Sequence, residues 1–167
     1  DTGNLGYKLA LDGGLTVSVE AARNTTAGGT DNTYGVTYTG IDGLTLAAGT
    51  GMTATGGTAE VESTTFGVKY ATGGFTFGLQ LTDVETEGTT EEEDGVYMGV
   101  TYNVNDDFTI GYLRQETDFS GSSSDEEHTG IQASYSMGSI SFSGRVSKVD
   151  NMGGSATASD EDKHITM

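Results

Sequence analysis

Three runs of acidic residues, Glu91-Glu92-Glu93-Asp94, Asp125-Glu126-Glu127 and Asp160-Glu161-Asp162, are the densest chemistry in the sequence. Carboxylate oxygens suit a hard cation such as calcium, so each run could bind Ca2+. None has the spacing of an EF-hand loop, and a solvated charge run that keeps a surface soluble accounts for the same residues. The two histidines, His128 and His164, lie beside such runs at strand beginnings. A Ser–His pair on a wall of strands is geometrically conceivable from either, but no feature singles out its serine. No nucleophile elbow, metal-ligand helix or phosphate loop is present. The sequence points away from an enzyme. A net charge of −18, from 25 acids against seven bases, also argues against nucleic acid or anionic headgroups as main partners.

A sparser set of charges, Lys8, Glu20, Lys69 and Arg145, takes its meaning from the elements that carry it. Apolar residues alternate with small or polar ones along most of the chain, most clearly at Phe75, Phe77, Leu79 and Leu81, with Thr76, Gly78, Gln80 and Thr82 between. Period-two alternation over many segments predicts a half-buried antiparallel sheet, because successive side chains point to opposite faces. Ten strands are expected at about 4–12, 14–23, 33–41, 44–54, 62–71, 75–85, 96–104, 108–117, 129–137 and 140–148, with an eleventh from about Lys163. Helical spacing fits nowhere for more than a turn.

The connections alternate between short and long. Asp12-Gly13-Gly14, Asp42-Gly43, Gly73-Gly74, Asn105-Asp106-Asp107 and Gly138-Ser139 are hairpin turns whose residues accept positive φ. The long ones, near 24–32, 55–61, 86–95, 118–128 and 149–162, are rich in Ser, Thr, Gly and acid. Only Asp12, Asp42, Asp106 and Asp107 sit at the short-turn end, leaving 21 of the 25 acids in or beside the long loops. That asymmetry matches a transmembrane barrel with periplasmic turns and extracellular loops.

Taking the apolar parity as the outside, the inside reads Gly, Thr, Ser and Gln, with Lys8, Glu20, Lys69 and Arg145 as its fixed charges. Apolar residues are only 34% of the chain, too few for a thick two-sided core. A soluble sandwich would alternate too, but it normally covers its wet face with Lys and Glu. Aromatics at strand ends (Tyr7, Tyr34, Tyr70, Phe75, Phe108, Tyr135) would suit interfacial girdles. The competing reading is a secreted or surface sheet, an adhesin or sandwich that binds without conducting. With no cysteine there is neither a disulfide scaffold nor a thiol zinc site.

Phe75-Thr-Phe-Gly-Leu-Gln-Leu, Tyr34-Gly-Val-Thr-Tyr, the stretch from Val96 to Tyr112 and the closing Asp162-Lys-His-Ile-Thr-Met resemble the general diffusion porins of Gram-negative outer membranes, alphaproteobacterial type. The resemblance is one of rhythm and covers the whole chain. It implies a 16-stranded homotrimeric barrel in the outer membrane, in contact with lipid and lipopolysaccharide, passing small polar solutes with no cofactor. It also implies that residues 1–167 form a single domain incomplete at both ends, since eleven strands put the termini at opposite rims. The opening Asp1, without an initiator Met, agrees with a processed or incomplete chain. On this reading the four inward charges bias passage through the pore, or are merely solvated wall residues. Arg23, Arg114, Lys148 and Lys163 would meet lipopolysaccharide phosphates at the rim, or pair with neighbouring acids.

Overall fold

The computed structural model describes residues 3–24, 28–55, 60–89, 92–157 and 159–166, with 160–166 described by backbone alone. They form one antiparallel sheet of eleven strands in sequential order. The strands are β1 (Asn4–Leu11), β2 (Leu15–Arg23), β3 (Thr30–Ile41), β4 (Leu44–Ala54), β5 (Glu60–Thr72) and β6 (Phe75–Thr86). They continue with β7 (Glu92–Asn103), β8 (Phe108–Phe119), β9 (Glu126–Met137), β10 (Ile140–Asp150) and β11 (Ser159–Thr166). Each pairs with its neighbours in the chain, and β1 and β11 are the edges. The expected meander is present, and its tight turns fall where the Gly, Asn and Asp residues put them.

The turns explain themselves locally. Gly43 adopts φ 72°, and a Cβ there would run into the Ala71 carbonyl oxygen of the next strand, so glycine is needed twice over. Between β7 and β8, Asn105 Oδ1 accepts hydrogen bonds from the backbone N–H groups of Asp107 (2.9 Å) and Phe108 (2.8 Å), a side-chain substitute for a backbone turn.

Several strands run further toward the long-loop end than alternation indicated. β7 starts at Glu92, β9 at Glu126 and β11 at Ser159, where 96, 129 and 163 were expected. Glu92, Glu93, Asp94, Glu126 and Glu127 are therefore strand residues, and Asp160, Glu161 and Asp162 lie on β11. Among the described residues of the three acidic runs, only Asp125 stays in a loop. Glu91, and the side chains of Asp160, Glu161 and Asp162, lie outside the described residues. Ladder hydrogen bonds join backbone groups and do not require apolar side chains, so the strands continue where the hydrophobic contrast has ended.

A core, in the ordinary sense, is missing. Among the described residues no apolar side chain is buried; Phe77 and Leu79 are 46% and 37% exposed although strands flank β6 on both sides. The sheet has one layer and its apolar face is bare.

Candidate functional site

The register makes the two faces explicit. On the apolar face, Phe66, Leu81 and Val96 are direct partners across β5–β7, and Val68, Leu79 and Met98 form the next row. On the opposite face Lys69 stands beside Thr45 and Gly78, Lys8 beside Ser18, and Arg145 beside Gln132 and His164. Glu20 shares that face and accepts a 2.6 Å hydrogen bond from Asn4 Nδ2. The four expected wall charges thus lie on one face of four different strands, spread along it with no clustering.

The acids at the long-loop end form rows on the apolar side. Glu62, Glu85 and Glu92 are consecutive cross-strand partners. So are Asp83, Asp94 and Asp118, and again Glu116, Glu127 and Asp150. Like charges directly opposite repel, so such rows are tolerable only in water. Arg114 spans the third row, its Nη2 lying 3.0 Å from Glu116 Oε2 and 2.9 Å from Glu127 Oε2. Lys148 Nζ lies 2.7 Å from Asp150 Oδ2. These two rim cations are held by acids in the protein itself.

Other acids have structural work that their spacing in sequence did not reveal. Glu126 Oε2 accepts the Gly153 N–H at 2.8 Å and the Asp125 carbonyl accepts Asn151 Nδ2 at 3.0 Å, tying the β10–β11 connection to β9. Asp31 Oδ1 accepts both Asn24 Nδ2 (3.2 Å) and the Ala54 N–H (3.0 Å), fastening β3 to the ends of its neighbours. Among the described residues no three carboxylates or imidazoles converge in a way that would hold a metal ion. His128 has its Nε2 buried without a hydrogen-bond partner, and no serine is bonded to it. The arrangement supplies no nucleophile–base pair among the described residues.

The decisive geometry is the path of the apolar band. On β5–β7 the acids begin one step above the row Phe66–Leu81–Val96 or at the step beyond it; on β8–β10 that same register row has become Glu116–Glu127–Asp150. The aromatic border at the short-turn end shifts in the same sense, from Tyr70–Phe77 to Phe75–Tyr102 to Phe108–Tyr135–Phe142. Phe75 stacks on Tyr102 with ring centres 4.3 Å apart. A band of constant height that crosses the ladder obliquely is what tilted, staggered strands need in order to pass through a flat slab of lipid.

A family model for the Gram-negative porins matches residues 2–165. The chain belongs to the Gram-negative porin family. That places it in the outer membrane, where an oblique apolar band of this kind suits contact with lipid. Solved porins share the fold. An anion-selective porin from Comamonas acidovorans superposes with TM-score 0.76 at 16% identity, over 88% of this chain and 48% of that one. OmpF of Salmonella typhi, in complex with daunomycin, gives 0.73 at 13% identity over 98% and 59%. OmpT, an outer membrane protein of Vibrio cholerae, gives 0.66 at 17% over 96% and 59%. The chain spans about half to three-fifths of these porins' length, and at such identities the likeness is one of fold. No curated protein matches the sequence.

Proposed function

We propose that this chain lines a water-filled channel through which small hydrophilic solutes and ions diffuse passively, without catalysis and without a cofactor. One observation carries the reading: a single-layer sheet whose bare apolar face follows an oblique band while its other face is mostly Gly, Thr, Ser and Gln. A face in lipid and a face in water are the two solvents that such a sheet requires. A secreted binding sheet would instead have to cover its apolar side. Lys8, Glu20, Lys69 and Arg145 act in this reading as fixed wall charges that bias ion passage. The apolar band also offers the surface on which copies pack as a homotrimer. Contact with lipopolysaccharide phosphates at the rim runs through divalent cations such as Ca2+, because Arg114 and Lys148 are already engaged by acids.

Planar-bilayer recording of the intact protein tests the proposal. Stepwise conductance increments are expected. A protein that stays monodisperse in detergent-free buffer and adds no conductance would contradict it.

A further inference from the structure

A glycine inside a strand loses conformational entropy and offers no side chain to pack; where one is kept, a ligand or another backbone often approaches closely. Several inward glycines of this sheet are accounted for by a neighbour lying on them. The Tyr97 ring covers Gly95, where a Cβ would come within 2.7 Å of it, and Leu113 covers Gly130 at 3.2 Å. Gln132 and Thr101 cover Gly111 at 3.1 Å. Gly67, Gly78 and Gly99 have no such cover. A Cβ on Gly78 would meet nothing within 4 Å, and on Gly67 or Gly99 only a backbone oxygen, at 3.9 and 3.7 Å.

Gly78 and Gly99 are direct cross-strand partners at the centre of this patch. The side chains around them lean away. Tyr97 and Leu113 lie over their own glycines, while Gln80 Nε2 donates to Thr82 Oγ1 at 3.1 Å and Gln115 Nε2 to Thr117 Oγ1 at 3.2 Å. What remains is a groove floored by bare peptide, with Lys69 on one flank, Leu113 on the other and Tyr97 toward the long-loop rim. Lys69 is exposed, has the uncharged Thr45 and Gly78 as cross-strand neighbours, and makes no hydrogen bond or ion pair among the described residues. The inward acids Glu93 and Glu126 stand two to three rows higher and at least two strands away, roughly 20 Å by strand geometry. That exceeds the ~8 Å screening length at physiological salt, so the groove is locally cationic in a strongly acidic protein.

We propose that this groove is a binding subsite for a small organic anion with a flat body, of the aromatic carboxylate class. The carboxylate meets the Lys69 ammonium, and the ring lies on the Gly78–Gly99 backbone between Tyr97 and Leu113. The assignment rests on the pore reading of this face, so its test separates the two. Conductance of the reconstituted intact protein in KCl is recorded with benzoate, benzyl alcohol or benzylammonium added, and block is taken as a fraction of each variant's own conductance. Benzoate should block saturably, with the neutral and cationic analogues at least fivefold less potent. K69Q and G78V should each weaken benzoate block fivefold or more, K69R should retain it, and D106N at a distant turn should leave it unchanged. Benzoate no more potent than benzyl alcohol, or equally potent on K69Q, overturns the subsite while leaving the pore intact. A protein that never conducts fails the pore reading on its own. Equilibrium dialysis of benzoate against the detergent-solubilised protein then reads the subsite directly: retention lost in K69Q supports it, and equal retention in both overturns it.

Discussion

Arg114 holds two carboxylates, Glu116 and Glu127, on a surface otherwise crowded with acids. Because guanidinium and carboxylates are all about two-fifths exposed, the pairing is worth little in itself, on the order of 0.2–1 kcal/mol. Its removal also leaves the row Glu116–Glu127–Asp150 with less compensation. R114Q should therefore lower unfolding stability by up to about 1 kcal/mol, and by more at low salt than at high salt, in urea titrations of the protein in lipid bilayers. The reverse change belongs to the first acidic row. Glu85 sits between Glu62 and Glu92, so E85Q should raise stability by a few tenths of a kcal/mol, an increment that shrinks as salt is added. Pairing of Arg114 with neighbouring acids was one of two alternatives the sequence offered, but which acids it meets, and the rows they form, were not legible there. The acids looked like loop charge because like-charged runs such as 91–94 occupy both parities and erase the alternation that marks a strand. Their rows exist only through register, which links residues 7 to 24 positions apart on neighbouring strands. The glycine groove was hidden for the same reason: Gly78 and Gly99 become neighbours only once β6 and β7 are paired.

At the scale of strands and turns, parity is the controlling variable. Leu79 and Gln80 are adjacent in β6 but face different solvents, so the same substitution should have opposite consequences. L79R puts a cation into the lipid near mid-band and should cost about 2–4 kcal/mol, or abolish assembly. Q80R should cost under about 1 kcal/mol and register chiefly as altered conductance and ion preference, since its head remains in water. Turn chemistry sets a second constraint. G43A forces a side chain into a φ of 72° and against the Ala71 carbonyl, so a loss of about 1–3 kcal/mol is expected from the β3–β4 hairpin, measured by the same urea titration. These strands were readable from the start because alternation is strongest where one face meets lipid. Phe75 to Leu81 and Val96 to Tyr102 carry it without a break. It fades at Glu92, Glu126 and Ser159, where both faces meet water while the backbone ladder continues.

Over the whole molecule, the proposed wall is one sheet separating two solvents, with no second layer behind it among the described residues. In that wall, even-numbered positions of β6 face water and odd-numbered ones face lipid. The native chain contains no cysteine, so single cysteines can be placed without background. The most direct measurement is the reaction of a membrane-impermeant, charged thiol reagent with cysteines at positions 75 to 82, one at a time, in outer membranes. Strict alternation is expected, with Thr76→Cys, Gly78→Cys, Gln80→Cys and Thr82→Cys modified rapidly and Phe75→Cys, Phe77→Cys, Leu79→Cys and Leu81→Cys protected. Equal reactivity at both parities, or protection of the even set alone, would contradict the wall described here.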